Sequence, residues 1–124
     1  VKTEIEVKNM AIISGISEHH LIEIVGTLVD NAYEACTPKR NLVFMELDSE
    51  EDRMVFVIRN QMEDVTMGEL HQFFSKGFST KGKNAERGFG LYNAKMLVGR
   101  YGGEIVASVD KIKESSYVCM KVVV

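Results

Sequence analysis

The chain of 124 residues carries 15 Lys and Arg against 18 Asp and Glu, a formal net charge of −3, and 45% of it is hydrophobic. A chain of this size buries roughly two-thirds of the surface its unfolded form exposes, which excludes a disordered tail and leaves room for one ordinary core. The acidic balance has the wrong sign for a general nucleic-acid binder, and no apolar run approaches the ~20 residues of a membrane span. No charged segment followed by an apolar one opens the chain, so no secretory leader is visible, and the first residue is Val rather than Met, as in a piece of a longer protein. No repeat or low-complexity linker divides it, so residues 1–124 read as a single domain.

Glu4 to Met10 partly alternates and predicts a short strand. Ser17 is placed to cap a helix from Glu18, whose apolar positions Leu21, Ile24, Val25, Leu28, Ala32 and Ala35 form one stripe. Thr37-Pro38 ends it. Asn41–Leu47 and Met54–Arg59 predict two strands joined through the acidic turn Ser49-Glu50-Glu51-Asp52. Thr66-Met-Gly-Glu69 has the form of a capping box and predicts a short helix to about Phe74.

Periodicity then stops. Ser75 to Arg87 holds four basic residues against one acidic and reads as a mobile loop. Gly88-Phe-Gly90 leads into a second long helix with Leu91, Ala94, Leu97, Val98 and Tyr101 on one side, stopped by Gly102-Gly103. Glu104–Asp110 and Ser116–Val124 predict a last hairpin around Lys111–Ser115. This order implies an α+β fold, a two-layer α/β sandwich with a mixed, mostly antiparallel sheet and three helices on one face.

Four features bear on chemistry. Glu23, Thr27, Asp30, Asn31 and Glu34 share a second face of the first helix, which carries no Lys or Arg for pairing. That face is either a solvated surface or a row of oxygen donors, in which a neutral amide such as Asn31 can ligate a hard cation shared with phosphates. Asn60 ends the second hairpin strand, as a turn residue or as an amide able to hydrogen-bond an adenine edge. Gly88-Phe-Gly90 before a helix lets backbone approach an anion at the positive end of the helix dipole. Lys76, Lys81, Lys83 and Arg87 precede it, forming either a plain basic surface loop or a phosphate lid. The glycines match neither a P-loop nor a Rossmann fingerprint. His19 and His20 point to different sides of a first helical turn and read as solvated. Cys36 and Cys119 lack metal-ligand spacing and read as buried small hydrophobes, and the seven Met residues as core filler.

Leu28-Val-Asp-Asn31-Ala-Tyr-Glu-Ala35, the hairpin ending in Asn60, Phe73-Phe74, Gly-Phe-Ser79-Thr80-Lys81-Gly, Gly88-Phe-Gly90-Leu91 and the closing Gly102-Gly103-Glu-Ile occur in one order across nearly the whole chain. Together they resemble the ATP-binding catalytic domain of sensor histidine kinases, in the Bergerat-fold superfamily with type II topoisomerases and MutL. The Ser79-Thr80-Lys81 segment and Asn60 look closest to the accessory-gene-regulator quorum-sensing type. The resemblance implies that Asn31 of the N box binds Mg²⁺ bridging the phosphates. It further implies that Asn60 stands at the adenine-reading position and that Phe73 and Phe74 flank the nucleotide. Ser75 to Arg87, with Ser79, Thr80, Lys81 and Arg87, would be the ATP lid, and Gly88, Phe89, Gly90 and Leu91 would hold phosphates.

Three positions depart from that family. Asn60-Gln-Met replaces the usual DxG, so adenine recognition is altered. Glu34 stands where many kinases carry a phosphate-contacting Lys, so that charge must come from the lid. Thr27 stands four residues before Asn31, where hydrolysing relatives and anti-sigma kinases carry a general-base Glu, and a Thr cannot deprotonate water at neutral pH. The reading is therefore a protein-histidine kinase catalytic domain using ATP and Mg²⁺, with Thr27 and Phe74 also lining the nucleotide and the acceptor histidine outside this chain. Its implied partners are the dimerisation and histidine-phosphotransfer domain of the same protein and a response regulator, with no nucleic acid. It would be the cytoplasmic domain of a membrane-anchored sensor and would not itself touch membrane. The rival readings are a stand-alone ATPase switch of the superfamily, disfavoured by Thr27, and a degenerate interaction domain without nucleotide, favoured by Asn60 and Glu34.

Overall fold

Two antiparallel hairpins and one parallel edge strand build a five-stranded sheet in a computed structural model that describes residues 1–9, 11–12, 14–62 and 85–124, with backbone only for 85–89. The strands are β1 (Lys2–Val7), β2 (Leu42–Glu50), β3 (Arg53–Gln61), β4 (Glu104–Ile112) and β5 (Ser115–Val123), in the order β1-β2-β3-β5-β4. β1 runs parallel to β2 with Ile5 opposite Met45, and every other pairing is antiparallel. The helices α1 (Glu18–Ala35) and α2 (Ala85–Arg100) supply the second layer. This is the expected mixed, mostly antiparallel α+β sandwich, with two helices among the described residues. The third, expected from Thr66 to Phe74, lies outside them.

The core lies between the layers. From the sheet come Val43, Met45, Met54, Phe56, Ile58, Ile105, Val118, Met120 and Val122, at alternate positions as a pleated strand requires. From the helices come Ile24, Leu28 and Ala32, and then Leu91, Ala94, Leu97 and Val98. The predicted stripes of both helices are thus the buried faces, with one correction. Tyr101 lies beyond the end of α2, 37% exposed, and its hydroxyl meets Nδ1 of His20. His20 is therefore half-buried and partnered rather than simply solvated.

Local chemistry sets the boundaries. Ser17 caps α1, its hydroxyl accepting the His20 N–H. After α2, Gly102 takes φ +74° and donates to the Gly99 carbonyl, while Gly103 donates to that of Val98, a Schellman ending. β1 begins at Lys2 and ends at Val7, short of the predicted Met10, because the Asn9 side chain accepts the Ala11 N–H and turns the chain. Both hairpin turns are tighter than expected. Glu51-Asp52 and Lys113-Glu114 all adopt positive φ, so two-residue turns replace the broader ones and the strands lengthen.

A larger correction concerns α2. Its helical backbone is described from Ala85, so 85–87 belong to the helix rather than the loop, and Gly88–Gly90 lie inside the helix rather than before it. Glycine in that setting weakens a helix without forbidding it, which is why the sequence reads as a loop there.

Candidate functional site

The direction of α1 over the sheet assembles the site. Leu21, Ile22, Val25 and Gly26, in the first half of α1, share an apolar groove with Leu47, Met54 and Phe56, near the β2–β3 turn. The second half of α1 therefore runs toward the opposite end of β3. From Val25 to Asn31 the helix advances roughly 9 Å, and from Phe56 to Asn60 the strand advances roughly 13 Å. Asn31 and Asn60 thus come to the same end of the two layers.

Asn60 is the only buried polar side chain among the described residues, 6% exposed. It follows Met54, Phe56 and Ile58 on the helix-facing side of β3, and its register partners are Val43 on β2 and Val118 on β5. Its Nδ2 has no hydrogen-bond partner among the described residues. A buried amide donor is normally satisfied, so this one is available to something that enters the site.

Thr27 and Asn31 lie one turn apart on α1, both half-buried. A β-carbon at Gly90 would stand 3.3 Å from Thr27 Cγ2, so glycine lets α2 approach α1 within the predicted phosphate-holding segment Gly88–Leu91. The polar stripe divides here. Thr27 and Asn31 turn toward the α1–α2 contact, whereas Glu23, Asp30 and Glu34 are exposed.

Of the sequence-predicted residues, Thr27, Asn31, Asn60 and Gly90 gather at this end of the sandwich. Leu91 packs into the core, 7% exposed, and has only its backbone to offer a ligand. Arg87, Gly88 and Phe89 are described as helical backbone. Phe74, Ser79, Thr80 and Lys81, with Phe73 and the rest of the expected lid before Ala85, lie outside the described residues. No three His, Cys, Asp or Glu among the described residues cluster as a metal site.

The other face of the sheet carries a polar network that the sequence did not announce. Arg59 Nε donates to Asp110 Oδ2 at 2.9 Å, and its Nη1 lies 3.4 Å from Glu46 Oε1, while Lys8 pairs with Glu46 at 3.5 Å. Burial works against the Arg59 charge, but the hydrogen bond it donates to Asp110 and the nearby carboxylates outweigh it, so its pKa is raised. Under this network burial pushes the Cys119 thiol up, against the pull of Arg59. Burial likewise raises Cys36, whose Sγ donates to the Ala32 carbonyl. Both cysteines are free thiols.

Residues 16–122 match the family of histidine kinase-, DNA gyrase B- and HSP90-like ATPases. Over 94 residues the chain is 35% identical to the sensor protein CitS of Bacillus subtilis, covering 74% of this chain and 17% of that protein. It is 31% identical to a probable C4-dicarboxylate sensor kinase of Halalkalibacterium halodurans, covering 73% of this chain and 18% of that one. It thus spans less than a fifth of the length of these relatives. The fold matches the catalytic domain of the histidine kinase ThkA at a TM-score of 0.76 and 16% identity, covering 97% of this chain and 76% of that one. It matches the mycobacterial sensor histidine kinase MprB at 0.69 and 19% identity, covering 98% and 81%. No helix among the described residues is long and apolar enough to cross a membrane. With the family match spanning most of its length and the expected sandwich in place, the chain belongs to the histidine kinase-, DNA gyrase B- and HSP90-like ATPases, as an ATP-binding catalytic domain of the histidine kinase kind.

Proposed function

We propose that this domain binds Mg²⁺·ATP between α1, the end of β3 and the start of α2, and presents the γ-phosphoryl group to a histidine on a separate dimerisation domain of the same protein. The reading rests chiefly on the approach of Gly90 to Thr27, which sets the polar side of α1 with Asn31 against the glycine segment. The Asn31 carboxamide oxygen suits a hard cation that keeps most of its ligands as phosphates and water. Mg²⁺, when bound, neutralises charge on the phosphate oxygens. On this reading Asn60 would face the base, Thr27 and the backbone of 87–91 would contact phosphates, and Phe74, Ser79, Thr80 and Lys81 would supply further contacts to the nucleotide.

In the transfer, an acceptor imidazole nitrogen bonds to the γ-phosphorus as the bond to the β–γ bridging oxygen breaks. ADP leaves with that oxygen, and the imidazole proton passes to a base on the acceptor domain. This domain's share is positioning and charge neutralisation. A response regulator then takes the phosphoryl group, and the whole protein is a membrane-anchored sensor with this domain in the cytoplasm.

Titration calorimetry with ATP, with and without Mg²⁺, tests the reading. Mg²⁺ should tighten binding by about tenfold or more in the native chain and by little in Asn31→Ala, with the thermal midpoint nearly unchanged because Asn31 is half-buried at the surface of the core. Absence of any nucleotide binding would favour the degenerate interaction domain. Unfolding by Asn31→Ala would make the residue structural.

A further inference from the structure

We infer that Asn60 reads the Watson–Crick edge of the purine through its carboxamide and does not separate 6-amino from 6-oxo purines, so that the domain takes GTP and ITP about as well as ATP. The inference rests on the reading of this site as a nucleotide pocket. It starts from a buried amide, 6% exposed, whose Nδ2 finds no partner among the described residues. The neighbours across the ladder are Val43 and Val118, whose side chains offer nothing to hold the amide in one orientation.

The chemistry follows from the donor and acceptor inventory. A carboxylate only accepts, so toward adenine it takes the 6-amino hydrogen but sets an oxygen against N1, and toward a 6-oxo purine it takes N1–H but sets an oxygen against O6. A carboxamide carries an acceptor and a donor at the two ends of one planar group. Toward adenine, Oδ1 accepts from the 6-amino group and Nδ2 donates to N1. Toward guanine or hypoxanthine, the group turned by 180° lets Nδ2 donate to O6 while Oδ1 accepts from N1–H. The two orientations have nearly the same shape, and the terminal torsion of Asn is broad and close to two-fold. Either base satisfies the stranded donor, so neither leaves the unmet polar group on which strong discrimination depends.

Calorimetric titration of this chain with ATP, GTP, ITP and CTP in the presence of Mg²⁺ tests the inference. The three purine nucleotides should bind within about tenfold of one another, and Asn60→Asp, which loses the donor to N1 or O6, should weaken ATP and ITP alike by about tenfold or more. ITP equal to ATP with weaker GTP still supports it, since only the 2-amino group then obstructs. Because a buried carboxylate can disturb folding, Asn60→Ser serves as the second variant: it should weaken all three purines together and leave their ratio flat. Native binding of ATP more than about a hundredfold above both GTP and ITP would overturn the inference while leaving the ATP site intact. Folded Asn60→Asp that binds ATP and ITP as tightly as the native chain would do the same. Binding of no nucleotide at all would remove both.

Discussion

A β-carbon at Gly103 would stand 2.4 Å from the Val123 carbonyl oxygen and 3.0 Å from both Val98 Cγ1 and Val124 Cβ. The end of α2 is thereby pinned against the last strand, and no side chain fits between them. Gly103→Ala should destabilise the domain by about 1–3 kcal/mol, seen as a lower urea midpoint at unchanged slope. A midpoint within error of the native chain would show that the two segments separate easily. At Asn60 the same close fit acts on a polar group. The sequence offered a turn residue or a base-reading amide, and burial between two valines decides against the turn. The sequence could not decide this because Asn is common at strand ends, whereas its burial depends on β5, more than fifty residues further along the chain.

The elements were legible to different depths. α1 was read almost to the residue, because its apolar stripe, the Ser17 cap and the absence of internal glycine pairs all agree. The hairpins were read as pairs of strands but with turns too wide. Glu51, Asp52, Lys113 and Glu114 take positive φ without being Gly or Asn, and pattern reading has no signal for that. These four residues carry conformational strain on the order of 1 kcal/mol each. Replacing Lys113-Glu114 by Asn-Gly should therefore raise stability by about 1 kcal/mol, measurable as a higher thermal midpoint. A lower midpoint would mean that the Lys113 or Glu114 side chain makes a stabilising contact. The start of α2 was misread for the opposite reason. Gly88 and Gly90 signal loop locally, and the helix forms there because Leu91, Ala94, Leu97 and Val98 pull the segment onto the core.

For the whole molecule the expected behaviour is that of one part of a larger machine. Thr27 sits beside Gly90, where it offers a hydroxyl but no base, so the isolated chain should bind ATP and release phosphate very slowly. Neither His19 nor His20 is a suitable acceptor. Both lie in the first turn of α1, about three turns before Asn31, and His20 is held by Tyr101. A radiolabel assay should show no phosphohistidine on the chain alone and labelling of a histidine when the dimerisation domain is added at high concentration. Rapid phosphate release by the chain alone, or a stable phosphohistidine at position 19 or 20, would contradict this division of labour.

What the sequence determined by itself is what repeats at short range. The 3.6-residue stripes of α1 and α2, the alternation of the strands, the Ser17 cap and the Gly102-Gly103 stop each depend on neighbours a few residues apart, and they led to the sandwich and its family. Only the tertiary structure decided what depends on strand order and helix direction. Arg59 reaches across β5 to Asp110, a pairing that exists because β5 lies between β3 and β4. Thr27 meets Gly90 because α1 and α2 cover the same face of the sheet, and Asn60 is left with an unpaired donor because three strands and a helix bury it where no described side chain can answer it. Such contacts join residues more than fifty positions apart, and a period along the chain carries no information about them.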